Sequence, residues 1–368
     1  MRLLSVDVED FRNVARARFD PSPRATILVG ENGQGKTNLL EAVYFACTLK
    51  PVRAARLAEL VRFGADKATV AAEVEGRGGV RRISVEVAPG ARTAFLDGKP
   101  QDRLDAYFEG LAAVCFSPDD LLLVKGGPEG RRRFLDRAAF NRWPAVLAEA
   151  RDYLCALRSR NAALRASSPE VEASFRGPLV RAGARILRRR RDLLGEIAPR
   201  FENAFREISG LGAPAAVLGY RAAGGMRWDG TEDELAARLD AALAARASRD
   251  ADKGYTSVGP HMDDVTLALD SRDARHFASQ GQQRAIVLAL KVAEIENLRA
   301  LLGRPPLLLL DDVSSELDPQ KNGYLLEYLG RLPGQAFLTT TDARLLTAAA
   351  GPETAFYRVE RGSVSRQY

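Results

Sequence analysis

Gly30-Glu31-Asn32-Gly33-Gln34-Gly35-Lys36-Thr37 decides the fold of this chain, because it matches the phosphate-binding pattern G-x-x-x-x-G-K-[ST]. The apolar run Ala25–Val29 before it predicts a buried strand, and residues 38–49 after it predict a helix. The first turn of a helix presents unsatisfied backbone N–H groups, so a phosphate binds well at its start. The stretch therefore predicts a site for a nucleoside triphosphate, with ATP and Mg²⁺ as the expected ligands.

The loop pattern gives its side chains distinct tasks. Lys36 is expected to reach the β- and γ-phosphates, and the Thr37 hydroxyl is expected to be a ligand of Mg²⁺. Glycines let backbone N–H groups turn inward around phosphate oxygens. The predicted nucleotide contacts in this segment are Gly30, Glu31, Asn32, Gly33, Gln34, Gly35, Lys36, Thr37 and Asn38.

Composition is that of a globular protein with a mild positive charge. Apolar residues make up 46% of the 368 residues and charged residues 28%, which suits a chain of two or three domains. The formal charge of 54 − 48 = +6 weakly favours a polyanionic partner. No apolar run approaches the ~20 residues of a membrane helix. The three cysteines have neither disulfide-framework nor zinc-site spacing, so a cytoplasmic location is expected.

The character of the sequence changes twice along the chain. Strand and helix patterns mix at first, helical spacing dominates from Arg131 to about Ser209, and strand patterns return after Gly254. Ser167-Ser168-Pro169 interrupts the helical region, which predicts two long helices that fold back on each other. We predict an α/β fold: an ABC-type P-loop ATPase head with a mixed sheet core, discontinuous over residues 1–120 and 250–368. Residues 121–249 would form an inserted, mainly helical lobe.

Two short patterns predict local structure inside these regions. Asp97-Gly98 after an alternating run is typical of a hairpin turn. Thr231 followed three residues later by Glu234 is a capping box, which predicts the start of a further helix.

A second segment supplies the acidic half of an ATP site. The run Leu307–Leu310 predicts a buried parallel strand, and two carboxylates follow it directly. Asp311 is the predicted Mg²⁺ ligand, since a P-loop protein holds the metal at such a strand end. Asp312 is predicted to be catalytic together with Lys36, by orienting or deprotonating the attacking water. Without the phosphate-binding loop, the same run would indicate only a strand and an acidic turn.

Ser279-Gln280-Gly281-Gln282 lies before a predicted helix and resembles a degenerate ABC signature motif. Backbone donors at a helix start suit a γ-phosphate, so Ser279, Gly281 and Gln282 are predicted nucleotide contacts. In an ABC-type head these groups complete the site of a second copy, which implies an ATP-dependent homodimer. Taken alone, the segment is better explained by a helix cap.

The remaining ATPase elements stay open at the level of sequence. Residues 315–318 are predicted either as a loop at a dimer interface or as a turn before a helix. Thr341 or Asp342 is predicted either to sense the γ-phosphate or to end a strand. Gln101 lies before the strand that a Q-loop glutamine should follow, and Asp119 and Asp120 occupy the expected place.

Residues 118–136, 258–264 and 311–318, together with residues 10–13, resemble the RecF family of bacterial recombination-mediator ATPases, which are related to ABC and SMC heads. The resemblance runs from Met1 to about Asp342 with matching order and spacing. The chain departs from the family pattern at Met262, where an arginine is usual.

This resemblance implies ATP-dependent binding to DNA at single-strand/double-strand junctions or gaps. It implies partnership with RecR, with RecO in the same pathway, and loading of RecA during DNA repair, replication and the SOS response. Slow, DNA-stimulated ATP hydrolysis would release the homodimer.

Arginine-rich segments are the candidates for DNA contact, because the guanidinium group binds phosphate bidentately. A solvated helix face is the alternative explanation of the same runs. The predicted DNA-binding residues are Arg53, Arg56, Arg131, Arg132, Arg188 and Arg189.

Three other protein classes account for less of the sequence. The ATPase subunit of an ABC transporter would need a tighter signature, a Q-loop glutamine, a switch histidine and a shorter helical insert. An SMC-like protein would need arms far longer than the ~50 Å that ~35 residues span. A P-loop kinase would leave Ser279 and residues 311–318 unexplained.

Overall fold

The computed structural model describes residues 1–52, 56–76, 78–312, 318–344 and 352–367, with the side chains of all of these except Asp105 and Pro169. The chain forms two compact units. The first comprises Met1–Asp120 with Glu294–Tyr368, and the second comprises Leu121–Ala293. Each unit is built around its own sheet and helices.

The first unit contains two six-stranded sheets. One is antiparallel, in the order β2-β1-β4-β5-β6-β7, and the other is mostly parallel, in the order β15-β14-β3-β13-β12-β8. The strands are β1 Arg2–Phe11, β2 Val14–Phe19, β3 Ala25–Val29, β4 Ala68–Gly76, β5 Gly79–Ala88, β6 Ala91–Leu96, β7 Lys99–Pro100, β8 Ala113–Phe116, β12 Leu307–Leu310, β13 Ala336–Thr340, β14 Thr354–Glu360 and β15 Ser363–Gln367. The numbers β9 to β11 belong to the second unit.

The parallel sheet sets the geometry of the nucleotide site. β13 lies between β3 and β12, with Thr340 opposite Val29 and Leu338 opposite Leu310. The carboxyl ends of parallel strands meet at one edge of a sheet, which is where ligands bind in α/β folds. The phosphate-binding loop after β3 and the carboxylates after β12 therefore lie at the same edge, with the end of β13 between them.

Helix α1, Lys36–Thr48, packs between the two sheets of the first unit, in contact with β1, β4, β8 and β13. All but two of its residues are buried, as expected for a helix covered on opposite faces. The other helices that belong wholly or partly to this unit are α2 Asp105–Phe108, the C-terminal part of α10 Gln280–Leu302 and α11 Pro319–Arg331.

The second unit is mainly helical around a small antiparallel sheet. The sheet has the order β11-β10-β9 and consists of β9 Ala216–Arg221, β10 Asp264–Leu269 and β11 Arg272–Asp273. The helices are α3 Leu122–Lys125, α4 Pro128–Arg142, α5 Val146–Arg165, α6 Pro169–Ser209, α7 Glu232–Ala245, α8 Ala247–Lys253, α9 Ala274–Phe277 and the start of α10. The long helices α5 and α6 pack against each other, as predicted from the break at residues 167–169.

Local predictions agree with the structure where the signal comes from neighbouring residues. Asp97 and Gly98 form a tight turn between β6 and β7, with φ of 50° and 76°. The Thr231 side chain accepts from the Glu234 N–H, and the Glu234 carboxylate accepts from the Thr231 N–H, which completes the capping box of α7. The strands β2 and β15 lie at sheet edges and were not predicted, because arginines interrupt β2 and four of the five residues of β15 are polar.

The limits of the two compact units differ from the predicted domains at one end. The division near residue 120 is the same, whereas the second division falls at Glu294 rather than near residue 250. The reason is that β10 pairs with β9 and extends the sheet of the second unit. Within the described part of the chain, no helix is both long enough and apolar enough to cross a membrane.

Candidate nucleotide-binding site

The phosphate-binding loop has the backbone conformation that its glycines permit. Gly33 and Gly35 have φ of 79° and 108°, in the left-handed region where a side chain would be strained. Gly35 is the N-cap of α1, and Glu31, Asn32 and Gly33 are exposed. The loop therefore leads directly into a helix N-terminus whose backbone N–H groups are available to an anion.

Lys36 lies folded back over its own loop. Its ammonium group donates to the carbonyl oxygens of Gly30 at 2.6 Å and of Glu31 at 2.8 Å. Burial lowers the pKa of Lys36, while the carboxylates of Asp312 and Asp311 act in the opposite direction. A phosphate at this position would give the buried ammonium group a charged partner in place of two neutral carbonyls.

Asp311 joins the loop to the neighbouring strands through two hydroxyl groups. The Thr37 hydroxyl donates to Asp311 Oδ1 at 2.7 Å, and the Thr339 hydroxyl donates to the same oxygen at 2.9 Å. Thr339 also accepts from the Asp312 N–H at 2.8 Å. Three groups from β12, β13 and the start of α1 thus converge on one point.

This donor set fits Mg²⁺. The cation prefers hard oxygen ligands and is bound in such sites by one or two protein groups together with substrate phosphates and water. The Thr37 hydroxyl and the buried Asp311 carboxylate are such groups, already within hydrogen-bond distance of each other. No cluster of three or more His, Cys, Asp or Glu residues suited to a metal occurs among the described residues, so an all-protein metal cage is not found there.

A cavity of about 320 Å³ opens beside these groups. This volume lies at the lower end of the range for small-molecule sites, ~300–1,000 Å³. Its lining residues are Asn32, Gly33, Gly35, Lys36, Thr37, Asn38, Asp311, Asp312 and Thr339. Most of the predicted P-loop contacts, both catalytic candidates and both predicted metal ligands therefore share one cavity, whereas Gly30, Glu31 and Gln34 line its neighbour.

Asp312 adopts a conformation that redirects the chain at the end of β12. Its φ is 48°, in the left-handed region that residues other than glycine rarely occupy. Strained backbone of this kind persists where the surrounding structure fixes it, often at functional sites. The Asp312 N–H is fixed by Thr339, and the residue lies on the cavity wall.

Ser279 begins α10 with a reciprocal cap. The Ser279 N–H donates to Gln282 Oε1 at 2.9 Å, and the Gln282 N–H donates to Ser279 Oγ at 3.2 Å. Ser279 is exposed at the start of a long helix, while its own N–H and that of Gln282 are engaged in the cap. The cap interpretation is thus correct, and it leaves the predicted nucleotide contact of Ser279, Gly281 and Gln282 as a prediction.

The other open ATPase elements take local roles in this structure. Asp318 is the N-cap of α11 and accepts from the Lys321 N–H at 3.0 Å, whereas Ser315, Glu316 and Leu317 lie outside the described residues. The Asp342 carboxylate pairs with Arg344 at 2.8 Å, and that pairing lowers the pKa of Asp342. Gln101 donates to the Lys99 carbonyl beside the β6–β7 turn.

Most of the arginines predicted to bind DNA are engaged inside the second unit. Arg131 is buried and holds Asp264 through two hydrogen bonds, and Arg132 donates to the Asp263 carbonyl. Arg188 pairs with Glu232 at 2.8 Å, and Arg189 pairs with Glu149 at 2.9 Å. The runs of arginine did not reveal these partners, because the acids lie on other elements. Arg56 is exposed, and Arg53 lies outside the described residues.

The sequence did not predict that two further residues would belong to the site. Thr339 was not predicted to belong to the site, although a hydroxyl at the end of a strand beside β12 is placed to meet Asp311. Asn13, in the β1–β2 turn, accepts from Asn38 Nδ2 at 2.8 Å and donates to the Gly33 carbonyl at 3.3 Å. The pairing order of the strands was needed to find either one.

Comparison with known proteins gives matches over the whole chain. A family model described as the RecF/RecN/SMC N terminal domain matches residues 2–364. A protein of Anaeromyxobacter sp. (strain Fw109-5) named DNA replication and repair protein RecF is 73% identical over 365 residues, covering 99% of each chain. The protein of the same name from Myxococcus xanthus (strain DK1622) is 52% identical over 371 residues, covering 99% of this chain and 97% of the relative.

A solved structure is similar over the same length. It is described as the structure of the recombination mediator protein RecF-ATP in the RecFOR pathway. It superposes with a TM-score of 0.90 at 27% identity, covering 100% of this chain and 97% of that one. The predicted fold class, an ABC-type α/β ATPase head with a mixed sheet and a long helical insertion, is thereby confirmed.

Proposed function

The chain belongs to the RecF/RecN/SMC N-terminal domain family and, within it, to the RecF proteins, and on that basis we propose that it is an ATP-dependent, DNA-binding recombination mediator. The observation that carries the proposal is the convergence of Thr37, Asp311 and Thr339 beside the phosphate-binding loop. In this role the chain would act in DNA repair and replication in the cytoplasm.

ATP would bind with its phosphates over the N-terminus of α1. The N–H groups of the loop and of the first helical turn face that position, and Lys36 would exchange its two carbonyl partners for phosphate oxygens. Thr37 and Asp311 would hold Mg²⁺, which neutralises charge on the phosphates when bound. Asn13 and Asn38 support the loop from its other side.

Asp312 would act on the attacking water. A carboxylate on the cavity wall can orient a water molecule and accept its proton. The backbone of Asp312 is fixed by Thr339, which is itself bonded to Asp311. The Thr339 hydroxyl would thus fix the positions of the metal ligand Asp311 and of the water-activating Asp312 relative to each other. We expect slow hydrolysis, stimulated by DNA.

Two copies would form the complete ATPase. Ser279 lies at the exposed start of α10, followed by Gly281 and Gln282, and in ABC-type heads this segment reaches the nucleotide of a second chain. ATP would join two copies on gapped or junction DNA, and hydrolysis would release them. As the family resemblance implies, the chain would act with RecR, with RecO in the same pathway, and would promote loading of RecA.

DNA contact would be dominated by phosphates and would weaken steeply with salt. Of the five predicted DNA contacts that the structure describes, Arg56 is the one that is exposed. Arg131, Arg132, Arg188 and Arg189 are not carried into the proposal, since their guanidinium groups hold partners inside the second unit.

The test is molar mass by light scattering, with and without ATP and Mg²⁺, on an Asp312→Asn variant that should hydrolyse slowly. We expect one chain without ATP and two chains with it. Lys36→Met is the matched variant that should neither bind nucleotide nor dimerise. Nucleotide binding without any change in mass, even with junction DNA present, would overturn the ATP-gated dimer.

A further inference from the structure

The turn between β14 and β15 contacts the middle of the phosphate-binding loop. The Arg361 N–H donates to Gln34 Oε1 at 2.7 Å, and the Gly362 N–H donates to the Gln34 carbonyl at 2.8 Å. Two consecutive N–H groups of one turn thus hold the side chain and the backbone of a single loop residue. Gln34 is the residue immediately before Gly35, where the loop enters α1.

The same turn lies very close to the β1–β2 turn. A Cβ atom on Gly362 would be 2.7 Å from the Asn13 carbonyl oxygen and 3.1 Å from the Val14 Cα, so only glycine fits. A Cβ atom on Gly35 would be 2.9 Å from Asn13 Oδ1 and 3.4 Å from the Gly362 Cα. The loop is therefore enclosed between two turns, one from each sheet of the first unit.

This enclosure matters because the tip of the loop is exposed, with the Lys36 ammonium group and the Asn13 side chain as its other hydrogen-bond partners. Glu31, Asn32 and Gly33 are exposed. A loop that binds phosphate through backbone N–H groups binds more tightly when those groups are already aimed inward, since less ordering remains to be done on binding. The hydrogen bonds to Gln34 act at the position where the loop turns into the helix.

We propose that the Arg361-Gly362 turn is a positioning element for the phosphate-binding loop, acting through the side chain and carbonyl of Gln34. This rests on the proposed nucleotide-binding function, and neither residue of the turn is assigned any contact with nucleotide. Removing the close fit of the turn should weaken nucleotide binding while leaving the catalytic carboxylates in place.

The alternative is that the turn only closes a hairpin, and the chain offers a matched control for it. The Asp97-Gly98 turn has φ of 50° and 76°, and the Arg361-Gly362 turn has φ of 49° and 78°. A Cβ atom on Gly98 would meet nothing within 4 Å. Alanine carries the same backbone strain at both glycines, so a difference between the two variants reports the contact with the loop.

The experiment measures binding of a fluorescent N-methylanthraniloyl ATP with Mg²⁺, and the melting temperature, for wild type, Gly362→Ala and Gly98→Ala. We expect Gly362→Ala to raise Kd by about tenfold or more and Gly98→Ala by less than about twofold, the former being the change that loss of about one hydrogen bond produces. Both variants should lose melting temperature. Equal Kd values for the two variants would overturn the proposal.

A Gln34→Met variant keeps the test decisive if Gly362→Ala fails to fold. It removes the acceptor of the Arg361 N–H and keeps the backbone carbonyl that accepts from Gly362. We expect Kd to rise about threefold to tenfold. An unchanged Kd would count against positioning. If wild type itself failed to bind the nucleotide, the proposed function would fall instead.

Discussion

The Thr339 hydroxyl joins the two residues that follow β12, donating to the Asp311 carboxylate and accepting from the Asp312 N–H. Thr339 is 2% exposed, so the hydroxyl itself has little access to water. Loss of such an outer-shell contact generally lowers metal affinity, because the ligand is no longer held in place. A single hydroxyl that is not itself a predicted metal ligand therefore helps to hold the predicted ligand Asp311 in place.

Thr339→Val should raise the Mg²⁺ concentration that gives half-maximal ATP hydrolysis by about tenfold or more, since it removes both hydrogen bonds while keeping shape. Thr340→Val is the control: its hydroxyl bonds the backbone of Asp342 and is equally buried. Titrating Mg²⁺ and measuring the ATPase rate of both variants gives the two half-maximal Mg²⁺ concentrations. The same half-maximal concentration in both variants would remove Thr339 from the metal site.

His261 gives the second unit a pH-dependent stability. Its Nε2 lies 2.9 Å from the Thr256 carbonyl, which can only accept, so Nε2 carries the proton and Nδ1 accepts from the Tyr153 hydroxyl at 2.7 Å. Burial lowers the pKa of His261, so the folded state binds fewer protons than the unfolded state once the pH falls below about 6.5. The free energy of unfolding should therefore decrease as the pH decreases below about 6.5.

His261→Gln should remove that slope, which is at most about 1.4 kcal/mol per pH unit for one proton. His276→Gln is the control, because the only other histidine of the chain is exposed. Urea unfolding between pH 7 and pH 5 measures the pH dependence of the free energy of unfolding of both variants. Burial raises the pKa of Asp263, which acts with the opposite sign but equally in both variants. Identical pH slopes in the two proteins would contradict the assignment.

At the scale of elements, α6 packs closely against α5 and α7 at Gly183. A Cβ atom on Gly183 would be 2.6 Å from Leu239 Cδ2 on α7 and 3.2 Å from Tyr153 Cε2 on α5. Glycine inside a helix costs about 1 kcal/mol relative to alanine. The close packing of α5, α6 and α7 at this point gives a physical reason for the residue.

Gly183→Ala should destabilise the protein, because forcing a methyl group into this contact costs about 1–3 kcal/mol, more than the helix propensity it adds. Gly195→Ala, in the same helix and with nothing within 4 Å of the new methyl group, should instead stabilise it by up to about 1 kcal/mol. Thermal unfolding of both variants shows whether each substitution lowers or raises the stability of the protein. Stabilisation by both substitutions would show that the helices are not in close contact at Gly183.

At the scale of the whole molecule, the groups proposed to act on ATP are divided between the two compact units. Lys36, Thr37 and Asp311 belong to the first unit, and Ser279 belongs to the second. Each unit has its own buried core and its own sheet. The proposed dimer would use the exposed start of α10 in one copy to complete the nucleotide site of the other.

Ser279→Arg should leave binding of nucleotide to the single chain unchanged and prevent the ATP-dependent dimer, because a long charged side chain would stand where a phosphate is expected. Ser248→Arg makes the same change at an exposed position of α8 and should dimerise normally. Light scattering with ATP and Mg²⁺, beside a separate nucleotide titration, distinguishes them. A dimer of normal affinity from Ser279→Arg would show that Ser279 does not face the second nucleotide.

Signals carried by neighbouring residues determined much of this protein from sequence alone. Residues 30–37 with the strand before and the helix after them, the apolar run into Asp311, the turn at Asp97-Gly98 and the box at Thr231 all form as predicted. Each depends on backbone preferences and side chains within a few residues, which the order of amino acids states directly.

The tertiary structure decided which distant residues meet. Strand order places Thr339 against Asp311, pairing across helices neutralises Arg188 and Arg189, and the Arg361-Gly362 turn encloses the phosphate-binding loop. Such contacts join residues tens to hundreds of positions apart. They follow from which elements become neighbours on burial of the whole core, a choice that no local pattern records.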